Sequence, residues 1–418
     1  MKKWLILGII LAITIPVTLF FYPYPPLQPP KANDTGATQE GVEELVNANN
    51  KFAFEFYSEL LKTSNKDENI FYSPYSIFSA LAITFEGAEG QTAEEMKSTL
   101  HLPTNVTLLR PNFAAIYNSI NAKTGNYELR TGNALWIQKD YPISEDYKKV
   151  VEEYYGGKAA NVDFERETEK SRETINSFIA EQTNNKIKEL IPKEALTSDT
   201  RLVITNAIYF KGMWQWQFNK SKTYEEDFKV ASNKTVKVQM MHMEPKDEVF
   251  NYTELDNLQI LELPYKNGSV SMLILLPKTN IEEIEANLTY EKLKEYRSML
   301  KETELSDIYL PRFEFSTKYN LNQILENLGM KTAFDPLTAN FSKLTNVERL
   351  YISLVLHQAY INVSEEGTEA AGATAVIISK VSKPSGIVFK VDHPFIFIIQ
   401  ERSTGNILFM GKVVDPTK

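Results

Sequence analysis

The sequence contains no cysteine, and this absence excludes several kinds of chemistry at once. Without a thiol there is no cysteine nucleophile, no disulfide bridge, no cysteine-ligated metal and no lipid-modified cysteine anchor. Histidine is rare as well, because only His101, His242, His357 and His393 occur and they are far apart in the chain. We therefore predict neither a metal site nor a cofactor.

An excess of basic residues is also lacking. The formal net charge is -9 and the isoelectric point is near 5.3, whereas binding to nucleic-acid phosphates needs a basic face. We therefore expect no nucleic acid as a partner. A hydrophobic content of 43% and a charged content of 24% are ordinary for a globular protein and argue against disorder.

The usual catalytic spacings are missing too. The sequence has no G-x-S-x-G elbow, no H-E-x-x-H helix and no phosphate-binding Walker loop. His357 lies within the apolar run LYISLVLHQAYI, where a hydrogen-bonded core histidine is a simpler interpretation than a catalytic base. We predict that the protein is not an enzyme.

The N-terminus carries an apolar run without any charge. Two lysines precede residues 4–22, WLILGIILAITIPVTLFFY, and about 20 apolar residues are needed to cross a bilayer as a helix. Residues 1–22 are therefore predicted to be an uncleaved signal-anchor or, alternatively, a cleaved signal peptide. Either alternative predicts an extracytoplasmic protein, held at the membrane by this segment or secreted. Several N-x-S/T sequences, among them those at Asn105, Asn251 and Asn287, are compatible with export.

Residues 23–41, PYPPLQPPKANDTGATQEG, begin with several prolines and end in polar residues, which predicts a linker. No second linker, repeat or low-complexity block follows, so residues 42–418 are predicted to form a single domain. Helical spacing covers residues 42–62 and 171–191, whereas strand-like runs dominate the last half. This distribution predicts an α+β fold.

One segment near the C-terminus is unusual because small side chains dominate it. Residues 365–386, EEGTEAAGATAVIISKVSKPSG, are mostly small, yet they separate the strand-like runs LYISLVLHQAYINV and IVFKVDHPFIFII. Without further information, its composition predicts a flexible loop or a short alanine-rich helix.

Five stretches of the chain, in order, resemble the serpin family over about residues 50–416. They are NIFYSPYSIFSALAITFEGAEGQTAEEM from Asn69, INSFIAEQTNNKIKELI from Ile175, TNAIYFKGMWQWQF from Thr205, EEGTEAAGATA from Glu365 and FKVDHPFIFIIQERSTGNILFMGKVVDP from Phe389. The resemblance implies a monomer with three β-sheets, eight or nine helices and an exposed reactive-centre loop. It also implies a suicide-substrate inhibitor: a serine protease attacks the loop, and the cleaved loop inserts into the large sheet A and traps the acyl-enzyme.

The resemblance also assigns roles to individual residues. The hinge of the loop is implied to comprise Glu366, Gly367, Thr368, Glu369, Ala370, Ala371, Gly372, Ala373 and Thr374. A polar cluster beneath sheet A, called the shutter in this family, is implied to comprise Ser73, Ser76, Asn206 and His357. The breach, where insertion begins, is implied to contain Trp214 and Glu365.

The hinge can be tested for its ability to insert, because side chains alternate between the two faces of a strand. With the family's register, the inward residues are uncharged and the first four are small: Thr368, Ala370, Gly372, Thr374, Val376 and Ile378. A shift of one residue would bury Glu369 without an evident partner, at a cost of several kcal/mol. No proline occurs from Glu365 to Lys383, just before Pro384, so the hinge sequence is typical of an inhibitor.

The reactive bond follows from the family's usual count of fourteen residues after the hinge glycine. Counting from Gly367 gives Val381–Ser382, which would suit an elastase-like protease; a shift of one gives Lys380–Val381, which would suit a trypsin-like protease. We favour the elastase-like target and keep the trypsin-like target open. The alternative function is that of a non-inhibitory serpin acting as a binding or structural protein.

Overall fold

A computed structural model describes residues 31–103, 105, 108–121, 127–347, 350–368 and 386–418. Residues Lys31–Lys418 form one compact unit. The predicted N-terminal segment 1–22 and most of the predicted reactive-centre loop lie outside the described residues. Within these residues, no helix is both long enough and apolar enough to cross a membrane.

Nine α-helices occur in the described part of the chain. They are α1 (Gln39–Thr63), α2 (Pro74–Phe85), α3 (Gly90–Thr99), α4 (Leu109–Asn121), α5 (Glu145–Val150), α6 (Thr168–Gln182), α7 (Ile281–Glu285), α8 (Tyr290–Met299) and α9 (Asn322–Asn327). A short π-helix, Val151–Tyr155, continues α5. The start of α2 shows how the sequence sets a boundary: Ser73 caps the helix by accepting a hydrogen bond from Ser76 N–H, and Pro74 occupies the first turn.

The helix predicted for residues 171–191 ends earlier than expected. Helix α6 stops at Gln182, and Asn184 and Asn185 follow with φ angles of 51° and 60°. These left-handed conformations are tolerated by asparagine and end a right-handed helix. The apolar residues beyond them, Ile187 to Ile191, still pack into the core, which explains why they continued the apolar spacing.

The linker predicted for residues 23–41 also ends earlier than expected, because the body of the protein includes it from Ala32 onward. Ala32 is buried and exchanges two hydrogen bonds of 2.9 Å with the side chain of Asn118 on α4. Thr38 caps α1 by accepting a hydrogen bond from Gly41 N–H. Polar composition predicted a linker here, but Asn118 and Asn112 of α4 bond to the backbone of Ala32 and Thr38.

The strands form three sheets. Sheet A has the order β13 (Phe313–Asn320), β14 (Ile352–Ser364), β15 (Gly367–Thr368), β5 (Leu202–Met213), β3 (Ala134–Gln138) and β4 (Lys158–Val162), with β2 (Tyr127–Thr131) also paired to β5. Sheet B has the order β1 (Ile70–Tyr72), β18 (Ile407–Val413), β17 (Phe395–Glu401), β10 (Val270–Pro277), β9 (Leu258–Pro264), β8 (Val249–Glu254) and β11 (Lys301–Glu304). Sheet C has the order β16 (Val388–Lys390), β12 (Asp307–Pro311), β7 (Lys234–Met243) and β6 (Tyr224–Ala231).

The main core lies between sheets A and B and the helices α1 and α2. Strands β10, β17 and β18 of sheet B are buried along their whole length. A second apolar cluster lies on the other face of sheet A, where Ile175 and Ile179 of α6 pack with Trp136 and Val203. Both faces of sheet A are therefore covered near its centre.

Strands β14 and β5, at the centre of sheet A, are related in two different ways. Along most of their contact they are parallel neighbours, with Ile352 opposite Leu202 and Ala359 opposite Ile208. At their C-terminal ends the two-residue strand β15 lies between them and is antiparallel to both. The chain that leaves β14 thus turns back and enters the gap beside its own strand.

Candidate functional site

The end of β14 carries a buried carboxylate. Glu365 is 1% exposed, and the guanidinium of Arg312 donates to both of its oxygens, from Nε at 2.8 and 2.9 Å and also from Nη2. The hydroxyl of Thr223 donates to the same carboxylate. Burial by itself would raise the pKa of Glu365, but the hydrogen bonds from Arg312 and Thr223 outweigh burial and hold it below its ordinary value.

The breach tryptophan joins the end of β5 to the turn after β14. The indole Nε1–H of Trp214 donates to the carbonyl of Ser364 at 2.9 Å, and its backbone N–H donates to the carbonyl of Glu366 at 2.9 Å. Its ring stacks on Tyr265 with the ring centroids 4.5 Å apart. The structure therefore brings together both predicted breach residues, Trp214 and Glu365, around one turn of the chain.

The first hinge residues occupy a narrow space. Gly367 has φ +151°, and a Cβ atom there would lie 2.0 Å from the carbonyl oxygen of Gly212. Glycine is required on both counts, since an L side chain would be strained at this φ and would collide with the backbone of β5. Glu366, one residue earlier, forms an ion pair with Lys220.

The next residue, Thr368, turns its side chain into the core. It is 1% exposed, and its hydroxyl lies 2.6 Å from the hydroxyl of Tyr265. Tyr265 is itself fully buried, against Trp214 and Phe210. This inward orientation is the one that the family's register gives to Thr368.

The remaining predicted loop residues lie outside the described residues. This holds for the rest of the hinge, Glu369, Ala370, Ala371, Gly372, Ala373 and Thr374, and for the candidate reactive residues Lys380, Val381 and Ser382. Their assignments stay predictions.

The four predicted shutter residues form one hydrogen-bonded network below the hinge. The side chain of Asn206 on β5 accepts a hydrogen bond from the Nδ1 side of His357 and donates to the hydroxyl of Ser76 at 2.6 Å. The backbone N–H of Ser73 donates to Nε2 of His357 at 3.1 Å. Because Nε2 accepts, the neutral ring carries its proton on Nδ1. The network joins β14, β5 and the start of α2.

Burial lowers the pKa of His357 to about 3. The ring is fully buried, and its contacts use the neutral form, so protonation would break the bond from Ser73 N–H as well as place a charge in the core. The sequence interpretation of a hydrogen-bonded core histidine agrees with this geometry.

Three residues that complete the site were not identified from the sequence. Asn133 accepts hydrogen bonds from Ser76 and Asn206 and so belongs to the shutter network. Arg312 pairs with Glu365, and Tyr265 contacts Thr368. Each is distant in sequence from its partner. The only available signal was the rule that a buried carboxylate needs a cation, which would have directed a search toward Arg312.

One group in the described residues has the composition of a metal-binding cluster. Ligand atoms of His242, Glu244 and Asp307 lie within 4.8 Å of one another. Each already has a partner in the protein: Nε2 of His242 lies 2.7 Å from Asp307, and Lys222 pairs with Glu244 at 2.5 Å. In the sequence His242 is far from the other histidines, and no metal site was predicted. The pairing of β7 with β12 brings His242 beside Asp307.

Comparisons with known proteins agree with this architecture. The family model for serpins (serine protease inhibitors) matches residues 47–416. An uncharacterized serpin-like protein of Methanosarcina mazei is 44% identical over 92% of this chain and 91% of its own length. Human serpin B4 is 38% identical over 90% of this chain and 100% of its own length. The structure of uncleaved ovalbumin matches with a TM-score of 0.79 and 31% identity, over 89% of this chain and 100% of that one.

The chain therefore belongs to the serpin family. The predicted serpin fold of α+β class is confirmed, with nine helices and three sheets in the described residues. Membership makes a protease the expected kind of partner, because the family is one of serine protease inhibitors. That this chain has no enzymatic activity of its own stays a prediction.

Proposed function

We propose that this protein is a suicide-substrate inhibitor of serine proteases that acts by inserting its cleaved reactive-centre loop into sheet A. The observation that carries the proposal is the position of β15. Gly367 and Thr368 already pair with β14 on one side and with β5 on the other. Insertion of the loop would extend this short strand downward between the same two neighbours.

The residues after Thr368 have the composition that such an extension needs. Ala370, Gly372 and Thr374 would follow Thr368 on the inward face, and they are small and uncharged. The charged Glu369 would point outward. Because no proline occurs from Thr368 to Lys383, each newly inserted residue has an N–H to donate to the sheet.

The contacts at the breach and the shutter would determine when the sheet opens. Residues from Ile352 to Ala359 of β14 pair directly with β5, so this pairing must break before a strand can enter. The side chains of His357 on β14 and Asn206 on β5 are hydrogen-bonded to each other, and Asn206 also bonds to Ser76 of α2, so this network connects the same two strands. Such a buried network stabilises the closed sheet only while all of its hydrogen bonds are made.

The chemical step belongs to the protease. Its serine hydroxyl attacks the carbonyl of the reactive residue, the peptide bond to the next residue breaks, and the new amine terminus leaves with the C-terminal fragment. Insertion would carry the acyl-enzyme away before water hydrolyses it. We propose Val381–Ser382 as the reactive bond with an elastase-like target, and Lys380–Val381 with a trypsin-like target as the alternative.

We further propose that inhibition takes place outside the cytoplasm. The support is the apolar segment of residues 4–22 after two lysines, which would anchor or export the chain. The body is proposed to act as a monomer.

The proposal is tested by incubating the protein with an elastase-like and a trypsin-like serine protease. We expect a covalent complex that survives SDS with at least one of them. The C-terminal fragment contains β16, β17 and β18 of the folded body, so it separates on denaturation, and its mass then identifies the reactive bond. A peptide beginning at Ser382 supports Val381; one beginning at Val381 supports Lys380. Cleavage without any stable complex would contradict inhibition and favour a non-inhibitory serpin.

A further inference from the structure

The sequence contains more N-x-S/T sequons than its composition explains. It has 31 asparagines and 57 serines and threonines among 418 residues, a composition that by chance would yield about four such acceptor motifs. Nine are present, with their asparagines at Asn33, Asn105, Asn219, Asn233, Asn251, Asn267, Asn287, Asn340 and Asn362. The sequon at Asn105 includes residues outside the described part of the chain, so eight can be compared in the structure.

Three of the eight sequons have an asparagine whose amide nitrogen is already engaged. Nδ2 of Asn33 donates to Glu153 at 2.7 Å, Nδ2 of Asn251 donates to Glu262 at 2.6 Å, and Nδ2 of Asn362 donates to Glu314 at 3.0 Å. All three asparagines are partly buried. The atom that would become bonded to a sugar is in each case held by a carboxylate, and these three sequons are poor acceptors.

The other five asparagines are exposed: Asn219, Asn233, Asn267, Asn287 and Asn340. In two of them the side-chain oxygen, not the nitrogen, makes the local contact. Oδ1 of Asn219 accepts from the backbone N–H of Ser221 at 3.0 Å, and Oδ1 of Asn340 accepts from that of Ser342 at 3.1 Å. Asn287 follows helix α7, and among the described residues its Nδ2 makes one long hydrogen bond of 3.3 Å, to the carbonyl of Glu283.

Two of the five have the most open geometry. Asn233 lies at the tip of the β6–β7 hairpin, where Lys234 and the sequon residue Thr235 are exposed as well. Asn267 lies in the turn between β9 and β10 with φ +72°. Its backbone N–H donates a hydrogen bond to the side-chain oxygen of Gln215. Within the described residues, neither side-chain amide makes a hydrogen bond.

We propose that the exported protein is N-glycosylated at these exposed sequons, first of all at Asn233 and Asn267, and not at Asn33, Asn251 or Asn362. The inference rests on the extracytoplasmic location proposed above. In the transfer step Nδ2 forms a bond to the anomeric carbon of a lipid-phosphate-linked oligosaccharide. The bond from that carbon to the phosphate oxygen breaks, the amide loses one proton, and the lipid phosphate leaves.

The exposed and engaged sequons provide an internal control for the experiment. The full-length chain is produced in an archaeal host that N-glycosylates its exported proteins, and again in the cytoplasm of a bacterium without an oligosaccharyltransferase. Intact mass and glycopeptide mass spectrometry are then compared. We expect added sugar mass only in the archaeal product, with glycopeptides at Asn233 and Asn267 and unmodified peptides at Asn251 and Asn362.

Substitutions separate glycosylation from other modifications. Asn233→Gln and Thr235→Ala should each remove one glycan mass, whereas Thr235→Ser should retain it and Asn251→Gln should change nothing. An unmodified archaeal product would overturn the proposal, and so would sugar on Asn251 and Asn362 in place of Asn233 and Asn267. Cell fractionation shows whether such a failure comes from lack of export, and the covalent-complex assay with proteases reports on the inhibitory function separately.

Discussion

The hydroxyl of Thr368 lies 2.6 Å from the hydroxyl of Tyr265. One residue is the first inward residue of the hinge, and the other lies just beyond the end of β9 in sheet B. The contact holds the start of the reactive-centre loop between β14 and β5 before any cleavage has occurred. Gly367 and Thr368 therefore already pair with both strands in the intact chain, at the place and in the register where the proposed insertion would begin.

The bond between Thr368 and Tyr265 should contribute measurably to stability. Tyr265→Phe removes the hydroxyl and keeps the ring against Trp214, and Thr368→Val removes the other hydroxyl with little change of shape. Urea unfolding of both single variants and the double variant should give a coupling free energy of about 1 kcal/mol. Additive effects would mean that the two hydroxyls do not interact in solution.

Gly367 should tolerate no side chain while the hinge stays in place. Gly367→Ala should lower the free energy of unfolding by about 1–3 kcal/mol through backbone strain, and it should also displace the hinge because of the collision with the carbonyl of Gly212. The fluorescence of Trp214, whose backbone N–H donates to Glu366, should report this displacement.

Gly36→Ala is the matched control, because Gly36 also has a positive φ, of +92°, but nothing lies within 4 Å of an added Cβ. Gly36→Ala should lower the free energy of unfolding only by the strain of a side chain at positive φ, without a collision, and it should leave the tryptophan fluorescence unchanged. Equal effects of the two substitutions would contradict the position of the hinge between the strands.

The ion pair between Arg312 and Glu365 should matter more than an exposed pair. Glu365→Gln leaves the guanidinium without its charged partner, and we expect a loss of about 2–4 kcal/mol in thermal or urea unfolding. Asp227→Asn, which breaks the exposed pair with Lys237, should cost less than about 1 kcal/mol. Similar losses in the two variants would show that the pair at the breach is not special.

The buried His357 should make the protein less stable as the pH falls. Its folded pKa of about 3 lies below the unfolded value of 6.5, so below pH 6.5 the unfolded chain binds the additional proton. The free energy of unfolding keeps its full value, as far as His357 is concerned, above pH 6.5. It decreases as the pH falls toward 3, by roughly 2 kcal/mol at pH 5.

His357→Gln isolates this effect, because His393, whose pKa is raised by its bonds to Asp392 and Pro277 in spite of burial, contributes with the opposite sign in both proteins. The stability difference between wild type and variant, measured by urea unfolding, should shrink from pH 7 to pH 5. A constant difference would mean that His357 is not held neutral.

Much of this fold could be predicted from the sequence because its signals are local. The apolar spacing of α1 and the apolar run of β14 depend on neighbours in the chain, and the sequence predicts both elements to within a few residues. The end of α6 was missed because two left-handed asparagines, Asn184 and Asn185, interrupt a spacing that continues beyond them. Likewise, Ala32 was assigned to a linker because its partner, Asn118, is far away in the sequence.

The site shows the same limit more strongly. Family motifs assigned Glu365, Trp214 and His357, but the partners that explain their chemistry, Arg312 and Asn133 among them, come from other strands. No periodicity connects residues that meet only after three sheets have formed. The position of Thr368 between two strands is of this kind, since it depends on the pairing of β14 and β5.

Insertion of the loop between β14 and β5 is the central claim, and thermal unfolding of the loop-cleaved chain tests it most directly. The intact protein and protein cleaved within residues 369–385 by a protease that does not form a complex are heated side by side. We predict a clearly higher unfolding temperature after cleavage, because a new central strand of about ten residues would add net hydrogen-bond energy on the order of 10 kcal/mol. An equal or lower unfolding temperature after cleavage would contradict loop insertion.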